Sequence, residues 1–184
     1  QLSSTMTKQA SNYFWLGFGS LLFLSILFLG CNTSAVEAKK NQVFRYNEHK
    51  NIGSLDPAFA KDNADISAVN QLFNGLVQMD SVMHVVPAIA SSWKISENAK
   101  IYTFELRPDV YFHTHDLFGT DQTRTVTAHD FVYSFDRLRD PKLASPGGWV
   151  VQNVESYKAL GQHRFQITLK SPFPAFLGLL TMKY

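Results

Sequence analysis

The feature that most constrains this chain is an uncharged run near its start. Residues 13–30 contain no charged side chain, and Lys8 is the only charged residue before them. Such a run is close to the minimum length for a membrane-spanning helix and longer than the apolar core of most signal peptides. In either case, we expect the residues that follow to fold outside the cytoplasm.

The only cysteine, Cys31, comes directly after Leu29 and Gly30 at the end of this run. A small residue followed by cysteine at this place resembles a bacterial lipobox, which implies cleavage before Cys31 and a diacylglycerol on its thiol. Phe28 departs from the lipobox pattern, which prefers leucine three positions before the cysteine. The alternative is an uncleaved signal anchor with an incidental buried cysteine. A lone cysteine cannot form an internal disulfide, so the domain must depend on its hydrophobic core.

The chain is predicted to divide into a signal peptide (1–30), a lipid-anchor tether (31–42) and an ordered region (43–184). Residues 32–41 are small and polar, as is typical of a tether. Hydrophobic residues make up 45% of the chain and charged residues 17%, which permits a packed core. Basic and acidic residues are interleaved after Cys31. Nucleic-acid binding requires a clustered basic face, so we expect no nucleic-acid partner.

Hydrophobic spacing predicts a mixture of strands and helices without strict alternation, so the class is α/β or α+β. The predicted strands are 43–47, 77–79, 93–96, 101–107, 110–113 and 165–169. The predicted helices are one from Asp62 that stops near Gly75, a short turn at 87–90, one following a Thr127–Asp130 capping box and ending near 139–141, and one starting at Phe176. The predicted loops include 115–124 and 145–148, and residues 150–160 give no clear pattern.

Several short motifs, in their order and spacing, resemble the peptide- and nickel-type solute-binding proteins, family 5 of the extracellular binding proteins. The resemblance covers nearly all residues from 43 to 184. The motifs are Ser54-Leu55-Asp56-Pro57-Ala58, Phe73-Asn74-Gly75-Leu76-Val77, 86–93, 102–113, 126–135, Asp140-Pro141 and 172–177. The sequence departs from the family at residues 113–116, where the family usually shows histidine, aspartate and glycine.

This resemblance implies an α/β fold of the periplasmic-binding-protein type II kind, in which two lobes close on a ligand. Family members are far longer than this chain, so we expect an incomplete domain: the start of the first lobe plus an accessory domain. The chain stops at Tyr184 shortly after an apolar run. The fragment alone is therefore expected to bind solute poorly.

The resemblance also implies a function. We expect an extracytoplasmic lipoprotein that binds a solute, with a peptide favoured, and delivers it to the membrane permease of an ABC importer. It would act as a monomer, without a cofactor and without catalysis. The sequence does not distinguish peptides from nickel complexes, haem or sugars.

Ligand contacts are predicted at Ser54, Leu55, Asn74 and Gly75. A peptide offers its own main chain as its invariant part, so its partner needs backbone amides and carbonyls. Loops at the ends of strands and helices supply these groups, and a glycine permits close approach.

Two alternative functions remain open at this stage. His113 and His115 lie two residues apart, so on a strand both imidazoles would share a face and could bind one metal ion in a metal-dependent hydrolase. The competing interpretation of this pair is two surface histidines at a strand end. The second alternative function is that of a signal-anchored structural protein that binds no ligand.

Overall fold

A computed structural model describes residues 45–183. The predicted signal peptide, Cys31 and the tether lie outside these residues. The predicted strand at 43–47 lies partly outside them, and residues 45–47 belong to no strand. A compact unit begins at Glu48. No helix among residues 45–183 has the length and apolarity needed to cross a bilayer.

The first elements are a 3-10 turn, Pro57–Phe59, and helix α1, Asn63–Leu72. Asp62 caps α1 because its carboxylate accepts a hydrogen bond from the Asp65 N–H at 3.1 Å. The helix ends three residues earlier than Gly75, where the sequence predicted its stop. Phe73 is already extended, with φ of −123°, so no left-handed glycine terminates the helix.

A short hairpin follows, formed by β1 (Val77–Met79) and β2 (Val85–Pro87). Asp80 stabilises its turn by accepting hydrogen bonds from the N–H groups of Val82 and His84 at 2.9 and 2.8 Å. The predicted helical turn at 87–90 is wrong, since Pro87 ends β2 and Ala90 begins β3. Proline is tolerated there because the last residue of a short edge strand can dispense with its N–H.

The main sheet contains four antiparallel strands in the order β3-β4-β6-β5. Their bounds are β3 Ala90–Ile95, β4 Ile101–Leu106, β5 Val154–Ala159 and β6 Arg164–Leu169. Alternate side chains of the two central strands are buried, as the period-two pattern predicts. The buried set is Tyr102, Phe104, Leu106, Phe165, Ile167 and Leu169.

Helix α2, Ala128–Arg139, covers the apolar face of this sheet. The predicted capping box at Thr127 and Asp130 is confirmed. Phe135 packs edge-on against Phe165, with ring centroids 5.4 Å apart, and Phe131 lies 5.7 Å from the same ring. Burying one such side chain stabilises the fold by about 1.5–3 kcal/mol, so this contact is a major part of the core.

The remaining segments are short. The predicted strand at 110–113 is reduced to one bridge between Tyr111 and Thr125, and a 3-10 segment, Asp116–Asp121, follows it. The predicted loop at 145–148 opens a third 3-10 element, Pro146–Val151. Helix α3, Phe176–Leu179, starts where the sequence predicted, and its Phe176 ring lies 5.1 Å from Tyr102.

Candidate functional site

The segment 53–58 contains two of the predicted ligand residues and is held at both ends by side chains from other elements. The Asp65 carboxylate, in the first turn of α1, accepts hydrogen bonds from the N–H groups of Gly53 (2.7 Å) and Ser54 (3.3 Å). Asp65 is 1% exposed and is the only buried charged residue within 45–183. A buried carboxylate requires such donors, so α1 fixes the start of the segment.

The far end of the segment is held from a different direction. Arg137, in the last turn of α2, donates from its two terminal guanidinium nitrogens to both carboxylate oxygens of Asp56, at 2.8 and 2.7 Å. The Ser145 hydroxyl donates to the Ala58 carbonyl at 2.6 Å. The hydrogen bonds from Arg137 lower the pKa of Asp56 below its ordinary value and outweigh its partial burial. Asp56 is therefore a carboxylate at neutral pH.

Between these anchors, several main-chain groups are left unpaired. Within the described part of the chain, the N–H of Leu55 and the carbonyls of Gly53, Ser54 and Leu55 have no hydrogen-bond partner. Leu55 is 52% exposed. The Ser54 hydroxyl points back into the segment and accepts from the Asp56 N–H at 3.1 Å. The segment is thus a loop that is anchored at both ends by side chains and keeps backbone donors and acceptors without a partner among residues 45–183.

Asn74 and Gly75 lie at the other end of α1. A ten-residue helix is about 15 Å long, so the structure does not bring the two predicted pairs of ligand residues together. Asn74 lines an open groove of about 450 Å³ with Asn70, Gln78 and Lys183. Desolvation lowers the pKa of Lys183.

Gly75 makes close backbone contacts beside this groove. A Cβ at this position would lie 3.3 Å from the Leu180 carbonyl oxygen and 3.4 Å from the Lys183 Nζ. Its own carbonyl accepts a hydrogen bond from the Ile89 N–H at 3.1 Å. Gly75 thus has a packing role, which makes Asn74 the more accessible of this pair.

The two histidines of the metal hypothesis point to different partners. His113 Nε2 lies 3.3 Å from the Leu72 carbonyl, and His115 Nδ1 accepts a hydrogen bond from the Leu117 N–H at 3.1 Å. His115 thereby caps the 3-10 segment that follows it. No group of three or more His, Cys, Asp or Glu side chains within 45–183 could hold a metal ion. The geometry described here therefore lends the hydrolase hypothesis no support.

Sequence reasoning missed Asp65, Arg137 and Ser145. Asp65 was one of several polar residues around the start of α1, and Arg137 was an ordinary base at a helix end. Their contacts join parts of the chain 11 to 87 positions apart. A local pattern therefore carries no signal for them.

Comparison with known proteins places these features in context. Residues 84–183 match the sequence model of the bacterial extracellular solute-binding proteins, family 5 Middle. Two relatives come from Escherichia coli K12. The protein named "Probable deoxycholate-binding periplasmic protein" is 35% identical over 156 residues, and the periplasmic murein peptide-binding protein is 33% identical over 164 residues. The matches cover 76% and 80% of this chain.

The chain spans only 28% and 29% of the length of these curated relatives. Among solved structures, the substrate-binding domain of an oligopeptide ABC transporter from Bacillus anthracis superposes with a TM-score of 0.68 at 27% identity. That match covers 77% of this chain and 29% of the other. The similarity is therefore to one part of a longer architecture.

Proposed function

Because this chain belongs to family 5 of the bacterial extracellular solute-binding proteins, we propose that it is part of a binding protein that captures a peptide outside the cytoplasm and delivers it to an ABC importer. The fold is that of the family, an α/β solute-binding protein represented here in part. The proposed domains are a signal peptide (1–30), a tether (31–42) with lipid on Cys31, and the N-terminal part of the solute-binding domain (43–184).

The observation that carries the proposal is the geometry of segment 53–55. Within the described residues its carbonyls and the Leu55 N–H have no hydrogen-bond partner, while Asp65 holds the Gly53 and Ser54 amides, so a ligand would meet donors and acceptors on a segment that is already anchored. Recognition through main-chain hydrogen bonds suits a peptide, because every peptide carries the same amide and carbonyl groups whatever its side chains. Ordering the loop beforehand reduces the entropic cost of binding.

The comparisons support a peptide as the ligand class. A relative is named as binding murein peptide, and a structural neighbour from Helicobacter pylori, 31% identical with a TM-score of 0.62, is described in complex with the peptide STSA. The name of the first relative, with deoxycholate as its ligand, provides the competing class. We propose Ser54, Leu55 and Asn74 as the ligand contacts in this part of the protein, Gly75 as the close-packed residue beside Asn74, and a membrane permease as the partner.

Titration calorimetry on the full natural protein tests this function. A panel of di-, tri- and oligopeptides should bind, whereas their backbone N-methylated forms should bind at least ten-fold more weakly. Deoxycholate is the comparison ligand. The proposal fails if no peptide binds, or if N-methylation leaves affinity unchanged.

A site-directed reporter tests the contact residues separately. Leu55→Cys in a Cys31→Ser background, carrying an environment-sensitive fluorophore, should change its emission when peptide is added. The matched control is Lys158→Cys, an exposed position on β5 whose neighbours Tyr157 and Ala159 face the core. A response at residue 158 and none at residue 55 would remove segment 53–55 from the site.

A further inference from the structure

Arg137 lies far from the proposed contacts in sequence but is connected to them through one side chain. It is in the last turn of α2, and 81 positions separate it from Asp56. Both nitrogen–oxygen pairs are shorter than 3 Å, which is the fork-to-fork arrangement of a guanidinium and a carboxylate. Two parallel hydrogen bonds fix the orientation of the carboxylate as well as its position.

The orientation of Asp56 in turn determines the path of the main chain. Its Oδ1 atom, which accepts from Arg137, also accepts from the Ala58 N–H at 3.1 Å and caps the 3-10 turn Pro57–Phe59. Its own N–H is bound to the Ser54 hydroxyl. Rotation of this carboxylate would therefore release the cap of the turn after residue 56, into which the main chain of Leu55 leads.

The contribution of this ion pair to overall stability is small by comparison. The Arg137 and Asp56 side chains are 27% and 34% exposed, and ion pairs with this much solvent contact contribute little to unfolding free energy. Its local effect is larger, because Asp56 directly follows residues 53–55, whose only other hydrogen bond at this end, in the described part of the protein, joins the Ser54 hydroxyl to the Asp56 N–H. Ser145 holds the chain only further on, at the Ala58 carbonyl. Asp65 holds only the amides of Gly53 and Ser54.

We propose that Arg137 is a positioning residue for solute binding, which acts through Asp56 to hold the main chain of Ser54 and Leu55 in the conformation that accepts a ligand. The inference rests on the proposed function, because it requires segment 53–55 to contact the solute. Removing the guanidinium leaves the contact residues in place but lets the segment sample other conformations. Solute affinity then falls in proportion to the fraction of molecules that remain in the binding conformation.

The test compares Arg137→Met with Arg164→Met in the full natural protein. Arg164 is the matched control because it also forms an ion pair across separate elements, with Glu105 at 2.7 Å, but on the sheet. Arg137→Met should weaken peptide binding about ten-fold, which corresponds to the ordering of roughly one backbone residue. It should also speed hydrogen exchange in 53–58. Arg164→Met should change neither, and Arg137→Lys should lie between them because lysine cannot bind both oxygens.

Equal dissociation constants for Arg137→Met and Arg164→Met would overturn the inference, as would unchanged exchange in 53–58. If Arg137→Met does not fold, Asp56→Asn takes its place, since the amide oxygen still caps Ala58 while the charge is lost. It should weaken binding to a similar degree, and unchanged binding again refutes the role. Failure of the proposed function gives a different pattern: the unaltered protein binds no peptide, or the probe at residue 55 is silent.

Discussion

The capping box at the start of α2 allows a quantitative prediction. Asp130 accepts hydrogen bonds from the Thr127 N–H at 2.8 Å and from the Thr127 hydroxyl at 3.1 Å. Arg124 also donates to both of its oxygens. Burial of the Asp130 carboxyl raises its pKa, but these hydrogen bonds outweigh burial and lower it overall. Asp130 is therefore charged at neutral pH and is the centre of the cap.

Three substitutions separate the contributions. Thr127→Ala removes one hydroxyl from the cap and should lower the free energy of unfolding by about 1 kcal/mol, within the roughly 0.5–2 kcal/mol range for such residues. Asp130→Ala removes the acceptor of the Thr127 N–H and the partner of Arg124, so its loss should reach about 2 kcal/mol. Ser134→Ala is the control, since its hydroxyl bonds the Asp130 carbonyl on the exposed side of the helix. Its effect should stay below about 0.5 kcal/mol.

Urea denaturation of the full natural protein, followed by circular dichroism, measures these differences as shifts in midpoint at constant slope. The expected order of destabilisation is Asp130→Ala, then Thr127→Ala, then Ser134→Ala. A Thr127→Ala midpoint equal to that of Ser134→Ala would show that the hydroxyl contributes nothing to the cap. A larger loss for Thr127→Ala than for Asp130→Ala would show that the carboxylate is not its centre.

Three further predictions concern other parts of the chain. Cys31→Ser should abolish incorporation of labelled fatty acid in cells, and a persistent label would refute the lipid anchor. His113→Ala combined with His115→Ala should leave the metal content of the purified protein unchanged by plasma mass spectrometry, whereas loss of a stoichiometric metal would revive the hydrolase hypothesis. Because the pKa of Asp56 is lowered in the folded protein, its carboxylate stabilises the fold fully above the unfolded-state pKa of about 3.9. This stabilisation is lost as pH falls through the folded-state pKa. The difference in urea midpoint between unaltered protein and Arg137→Met should thus be constant from pH 7 to about 5 and shrink below about 4.

Sequence patterns predicted those parts of the fold whose cause is local. The alternation in β4 and β6 indicates that one face of each strand is buried, and the spacing of Phe131 and Phe135 indicates one buried face of α2. These elements were therefore predicted correctly. The motifs after Ser54 also indicated the family correctly. In contrast, residues 110–113 have a strand-like composition, but within residues 45–183 they form a single bridging pair, between Tyr111 and Thr125.

The predicted ligand residues followed from motifs and stay a prediction. What the sequence could not provide was the set of contacts that hold them, since Asp65, Arg137 and Ser145 act over long separations. The hydrogen bond from Arg137 to Asp56 depends on where α2 ends and how it crosses the preceding segment. These relations belong to tertiary packing, and residue spacing does not encode them.

The strand order of the main sheet has a consequence for how the domain reaches its folded state. β6 lies between β4 and β5, and it pairs with residues about sixty positions earlier, as Glu105 does with Arg164. Until β6 has been added up to Leu169, the edge of β4 that pairs with β6 is open and β5 has no neighbouring strand in the main sheet. Loop closure over this distance slows folding, and exposed edges invite pairing with other chains. We therefore expect insertion of β6 to limit the folding rate of this unit, and aggregation to compete with folding mainly before that step.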